Sequence, residues 1–141
     1  MRKILVASHG RVASGVKSAA KILLGDDSAI TAVDCYVDET DYTPQLQEFI
    51  DSTTPDDEAV IFTDLMGGSV CNKVMSLEPE KHGVIHVTGF NLITVLGCLL
   101  SDERLTPEVV DTVVEQGAGL IKRVVVEESA ADSGSDDDFF A

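Results

Sequence analysis

Four short, almost continuously apolar runs alternate with segments of helical periodicity, and this alternation limits the possible folds more than any other feature of the chain. The runs are Ile4 to Ala7, Ala29 to Cys35, Ala59 to Thr63 and Gly83 to Thr88. Apolar residues at successive positions suit strands covered on both faces, the situation of a parallel sheet. The segments between the runs supply the covering. Val12, Val16, Ala19, Ala20 and Leu23 recur at helical spacing before Gly25, and Leu46, Phe49 and Ile50 follow Thr43-Pro44. Val70, Val74 and Leu77 precede Pro79, and Leu92, Val95, Leu96, Leu99 and Leu100 form one apolar face. The expected fold is α/β, an open and mainly parallel sheet with helices on both faces.

Thr106-Pro107 opens one more helix, lined by Val109, Val110, Val113, Val114 and Gly117, with Gly117 and Gly119 weakening its end. Val124 to Val126 then reads as a short final strand. No further helix follows to make a parallel crossover, so an antiparallel edge position is expected. Such an edge invites wrong pairing unless it is covered, and exchange of the strand across a two-fold axis would cover it, which predicts a homodimer. From Glu127 the chain turns to acids, serines and small residues, a composition that cannot bury enough apolar surface to order itself. The expected organisation is one domain over 1–126 and a disordered acidic tail over 127–141.

The net charge of −15 argues against nucleic acid and against an anionic membrane surface as partners. All 25 acids lie at or after Asp26, whereas Arg2, Lys3, Arg11, Lys17 and Lys21 precede it, which allows a local positive field near the N-terminal segment. No run is long enough to cross a bilayer, and Met1-Arg2-Lys3 leads straight into a strand, so a cytoplasmic protein without direct membrane insertion is expected. Cys35, Cys71 and Cys98 are odd in number and widely spaced, suggesting buried thiols rather than disulfides or a zinc site.

The chemistry is expected where the first and third runs stop. The first ends in Ser8-His9-Gly10, and in open α/β sheets ligands gather beyond the carboxyl ends of the strands. There His9 would lie beside a helix N-terminus with free backbone amides. The third ends at Asp64, followed by Gly67-Gly68-Ser69 at a helix start, where close backbone approach, the helix dipole and a hydroxyl favour an anion. Asp64 accepting from the His9 Nδ1–H would leave the Nε2 lone pair free as a nucleophile, with the electrophile resting on the glycine loop. Phosphoryl transfer fits, since it depends on in-line positioning and on donors for the phosphoryl oxygens. No cluster of carboxylates converges there, so neither metal nor cofactor is expected. His82 and His86 lack this strand-end setting.

These residues carry a resemblance. Ile4-Leu5-Val6-Ala7-Ser8-His9-Gly10, Asp64-Leu65-Met66-Gly67-Gly68-Ser69 and Gly89-Phe90-Asn91-Leu92, together with their order over residues 1 to 126, resemble the mannose-family IIA domains of the bacterial phosphoenolpyruvate-dependent sugar phosphotransferase system. The resemblance implies a phosphoryl carrier in which His9 accepts a phosphoryl group on Nε2 from HPr and passes it to a IIB component for sugar uptake and phosphorylation. It implies further that Asp64 is the partner of His9, that Gly67, Gly68 and Ser69 hold the phosphoryl oxygens, and that the C-terminal strand is exchanged between two subunits. Such a protein works in the cytoplasm alongside membrane permease components. An acidic tail stands where some relatives carry a linker and a IIB domain, so a IIB partner on a separate chain is expected.

Four other readings compete. The phosphocarrier subunit of phosphoenolpyruvate-dependent dihydroxyacetone kinase shares the strand-end histidine, although Gly-Gly-Ser after Asp64 favours the sugar-transport group. A receiver domain would want acidic residues after its first strand, where Ser8-His9 stand. A cysteine hydrolase would use Cys71, His9 and Asp64. A non-catalytic phosphate-binding module would use the glycine loop alone.

Overall fold

A computed structural model describes residues 1–126. The chain runs β1 (Arg2–His9), α1 (Val12–Leu24), β2 (Ile30–Cys35), α2 (Thr43–Asp51), β3 (Glu58–Thr63), α3 (Ser69–Ser76), a 3-10 turn (Pro79–His82), β4 (Val84–Thr88), α4 (Leu92–Leu100) and α5 (Pro107–Ala118). All strand pairs are parallel, in the order β2-β1-β3-β4. The expected alternation of elements is what makes this possible, because each parallel return needs a crossover helix.

Strand pleating sorts the core into two layers. Ile4 and Val6 of β1 join Val60 and Phe62 of β3 under α1, α4 and α5, where Ala13, Val16, Ala20, Val95, Leu96 and Val110 are buried. Leu5 and Ala7 join Ala59 and Ile61 on the opposite face, under Leu46, Phe49 and Ile50 of α2 and Val70 and Val74 of α3. The register places Leu5 beside Ile61 and Ala7 beside Thr63, so side chains on each face meet their own kind and both strands finish at the same end. Each fully buried aliphatic side chain contributes about 1.5–3 kcal/mol relative to exposure, and every central residue of β1 is buried.

Strand order reverses between β1 and β3: β2 lies outside β1, and β4 lies outside β3. Ligands in open α/β sheets bind at such a crevice. His9 ends β1 and Asp64 follows β3, so both stand at this reversal.

The C-terminal segment departs from the sequence expectation. Val124, Val125 and Val126 form no strand within the chain, and they are 88%, 56% and 94% exposed. A strand exists only where a neighbouring edge accepts and donates its hydrogen bonds, and the segment leaves α5 without meeting either edge of its own sheet. The four-stranded sheet is wholly parallel among the described residues. The acidic tail expected over 127–141 lies outside the described residues.

Gly117 does more than weaken the end of α5. A Cβ there would collide with Thr94 Cγ2 and stand 3.2 Å from Ile93 Cγ2, and the Gly117 carbonyl accepts from Asn91 Nδ2 at 2.9 Å. The residue is the point of close approach between α5 and the capped start of α4, where Asn91 and Thr94 form a reciprocal capping box.

Candidate functional site

His9 and Asp64 are held together twice. Asp64 Oδ2 accepts from the His9 backbone N–H at 2.8 Å and lies 2.9 Å from His9 Nδ1. The first contact fixes the carboxylate against the end of β1, and the second selects the ring tautomer in which Nδ1 carries the proton. Asp64 is largely buried, its side chain 15% exposed, whereas that of His9 is 41% exposed. Burial pushes the Asp64 carboxyl upward, but the His9 N–H, the ring contact and the imidazole charge outweigh it, and the net displacement is below the usual carboxylate value. Asp64 therefore faces the ring as an anion.

The loop after β3 comes to the other side of the imidazole. Ser69 Oγ lies 3.3 Å from His9 Nε2. Gly67 takes a left-handed φ of 75°, and Gly68 packs so tightly that a Cβ would stand 3.1 Å from Leu65 Cβ, 3.2 Å from Leu65 O and 3.7 Å from His9 Cε1. These two glycines allow the loop to fold against the histidine. The first helical bond of α3 runs from Asn72 N–H to the Gly68 carbonyl, so the amides of Ser69, Val70 and Cys71 precede any intrahelical acceptor. The Gly68 N–H is engaged by the Leu65 carbonyl at 3.0 Å. Hydrogen-bond donors available to an anion at Nε2 are thus the Ser69 hydroxyl and the N–H groups of the opening turn of α3.

The neighbouring helix contributes differently from expectation. The Ala13 N–H is taken by buried Ser8 Oγ at 2.8 Å, and the Ser14 N–H by Asp34 Oδ1 at 2.9 Å. Two amides at the start of α1 are therefore spent on capping, which a sequence reading of free amides beside His9 does not anticipate. The early basic residues are dispersed as well. Arg2 binds Glu58 and the carbonyls of Leu99, Ser101 and Glu103, Lys3 donates to Ser52, and Lys17 and Lys21 donate to the carbonyls of Ile30 and Gly25. Only Arg11, in the β1–α1 turn, stays close in sequence to His9.

Cys71 does not enter the constellation. It is 1% exposed and its Sγ approaches Met75 Sδ at 3.9 Å, so the hydrolase reading has no accessible thiol. His86 is a strand residue whose Nε2 lies 2.7 Å from Thr63 Oγ1; burial holds its pKa below the usual histidine value, with Glu80 opposing. Among the described residues, no group of three or more His, Cys, Asp and Glu side chains is placed to hold a metal ion, and no helix is long and apolar enough to cross a membrane.

Tyr36 is the participant that sequence reasoning missed. It follows β2, its ring stacks on His9 with centroids 5.3 Å apart and planes 23° apart, and its hydroxyl donates to Ser69 Oγ at 2.9 Å. The β1–β2 register, which pairs His9 with Cys35, brings the next residue across the imidazole. An aromatic residue directly after a strand whose end pairs with that of β1 was the available signal.

No curated protein sequence matches the chain. Solved structures do. A phosphoenolpyruvate-dependent sugar phosphotransferase system permease protein from Klebsiella pneumoniae is 27% identical, with TM-score 0.76 over 86% of this chain and 90% of its own. The IIA protein associated with the fucose utilization operon of Streptococcus pneumoniae is 25% identical, with TM-score 0.70 over 86% of this chain and 92% of its own. The mannose/sorbose-specific IIA subunit of Enterococcus faecalis, 20% identical with TM-score 0.74 over 90% and 97%, shares the fold. Residues 3–114 match the family described as EIIA-man, the PTS system fructose IIA component. Fold and family match agree, and the chain belongs to the EIIA-man family of phosphotransfer components in sugar phosphotransferase systems.

Proposed function

We propose that residues 1–126 form a IIA phosphocarrier domain in which His9 Nε2 accepts a phosphoryl group from HPr and delivers it to a IIB component for sugar uptake and phosphorylation. The observation that carries this reading is the double anchoring of His9 by Asp64, at 2.8 and 2.9 Å, with Nε2 directed toward the opening turn of α3. With the proton on Nδ1, the Nε2 lone pair attacks phosphorus; the Nε2–P bond forms as the bond from phosphorus to the donor breaks, and that electron pair leaves with the donor. Positive charge develops on the imidazole and is stabilised by the Asp64 carboxylate. Ser69 and the opening turn of α3, which the Gly67–Gly68 turn folds against His9, receive the phosphoryl oxygens.

The surroundings suit a carrier that meets proteins rather than a small-molecule enzyme. Val12, Tyr36, Val37, Leu65 and Met66 belong to the segments that converge at His9, and all are at least 40% exposed, Met66 81%. An apolar collar around a half-exposed nucleophile excludes water when a partner docks, which protects the phosphoryl group from hydrolysis.

The same proposal extends to assembly. Exposed Val124 to Val126 pair, in this reading, as an antiparallel strand with the sheet of a second copy, giving a homodimer. Residues 127–141 remain an acidic tail outside the carrier domain.

Incubation with phosphoenolpyruvate, the general transfer enzyme and HPr tests the carrier role. Labelling of the protein that is abolished in His9→Ala supports it; undiminished labelling of that variant overturns it.

A further inference from the structure

Two hydroxyls from the loop between β2 and α2, with that of Ser69 at the start of α3, form a chain that ends on His9 Nε2. Tyr36 has a φ of 65°, a left-handed conformation rare for an aromatic residue, and strain of this kind persists where surrounding contacts impose it. The conformation turns its ring over His9 and its phenol onto Ser69. The Tyr42 hydroxyl lies 3.1 Å from that of Tyr36, and the two rings meet edge to face with centroids 5.4 Å apart.

The direction of every hydrogen bond follows from the histidine tautomer. Nδ1–H is committed to Asp64, so Nε2 can only accept, and Ser69 must donate to it. A hydroxyl has one proton, so Ser69 in turn accepts from Tyr36, and Tyr36 accepts from Tyr42. Burial and the Tyr36 contact push the Tyr42 phenol well above its ordinary value, so the end of the chain keeps its proton. The Ser69 Oγ to Nε2 separation of 3.3 Å is long for a hydroxyl donor, and the cap on the nucleophile is correspondingly easy to release.

We propose that Tyr36 is a positioning residue for phosphoryl transfer: its hydroxyl orients the Ser69 proton toward Nε2 in the resting protein and holds Ser69 as that proton turns to a phosphoryl oxygen. This rests on the reading of His9 as acceptor. No proton changes heavy atom in the step. The Nε2–P bond forms, the bond to the donor breaks with its electron pair, and the Ser69 O–H rotates from Nε2 to the phosphoryl oxygen while still accepting from Tyr36. The Tyr36 ring meanwhile covers one face of the imidazole, keeping its orientation.

Tyr36→Phe retains the ring and removes the hydroxyl, and Ser69→Ala removes the group through which that hydroxyl acts. Loss of one such hydrogen bond predicts a transfer rate from phospho-HPr reduced about three- to tenfold in Tyr36→Phe, with no further loss when Tyr36→Phe is added to Ser69→Ala. In the unphosphorylated protein, nitrogen NMR of the His9 ring should show a displaced Nε2 resonance in Tyr36→Phe while Nδ1 is unmoved. A wild-type rate together with an unmoved Nε2 resonance overturns the proposal, as does an undiminished effect of Tyr36→Phe in the Ser69→Ala background. A wild-type protein that takes no phosphoryl group refutes the acceptor reading instead, and the Nε2 resonance then decides the hydroxyl chain by itself.

Discussion

Asp64 Oδ2 receives both the backbone N–H and the Nδ1 of His9, at 2.8 and 2.9 Å, so one oxygen atom fixes where the histidine stands and which nitrogen it presents. The two contacts join the ends of strands that are neighbours in the sheet but 55 residues apart in the chain. In the proposed transfer, a carboxylate so placed orients the ring beforehand and faces the positive charge that develops on it.

Asp64→Asn removes that charge while keeping the size of the side chain. We expect forward and reverse phosphoryl exchange slowed at least about tenfold with an unchanged circular dichroism spectrum. Rapid-quench kinetics in both directions is the measurement, and unchanged rates would take Asp64 out of the mechanism.

Two glycine substitutions should separate site from scaffold. Gly68→Ala drives a methyl against Leu65 and toward His9 Cε1, so transfer should fall sharply with a modest loss of stability. Gly117→Ala forces α5 away from Thr94 and Ile93, none of which touches His9 or Asp64, and should cost about 1–3 kcal/mol of stability while the remaining folded protein transfers normally. Urea unfolding beside single-turnover transfer distinguishes the two patterns.

Glu58 ties the start of β3 to the region after α4. Its Oε1 accepts from the Leu105 N–H at 2.6 Å and from Arg2 at 3.0 Å, and these contacts, Leu105 first, hold its carboxyl below the ordinary value. A depressed folded-state pKa means that the stabilisation is complete above the ordinary value of 4.5 and is lost as pH falls through the lower folded value. Glu58→Gln should therefore cost about 1 kcal/mol at neutral pH. The difference from wild type should close in acid, as read by urea midpoints across a pH series.

Truncation tests the assembly. Removal of residues 120–141 takes away exposed Ile121 and Val124 to Val126 and should yield a monomer or a destabilised domain, whereas removal of 129–141 should leave the oligomer intact. Sedimentation velocity of the full chain and both truncations decides this. A full-length monomer at micromolar concentration contradicts strand exchange.

The parallel sheet and the meeting of His9 with Asp64 were legible because both follow from simple patterns: where each apolar run ends, and the alternation of runs with helices that makes the strands parallel and brings their ends to one side of the sheet. Tyr36 was not, since its approach to His9 depends on one left-handed backbone angle and on the register of β1 with β2. The capping of α1 by Ser8 and Asp34 was hidden for a related reason: a serine at a strand end gives no indication that it accepts from an amide five residues later. Val124 to Val126 shows the limit from the other direction. Three adjacent valines say that burial is favourable but not which surface provides it, and within one chain they stay exposed.

The most direct test of the central claim is the position of the phosphoryl group itself. The protein, carrying isotope-labelled histidine, is phosphorylated through phosphoenolpyruvate, the general transfer enzyme and HPr, and examined by phosphorus–nitrogen correlation NMR. A single phosphorus resonance coupled to His9 Nε2, labile in acid and stable in base, is the predicted result. Phosphorus bonded to His9 Nδ1, to His82 or His86, or to an oxygen of Ser69 would contradict the account, as would a protein that acquires no phosphorus while HPr is fully charged.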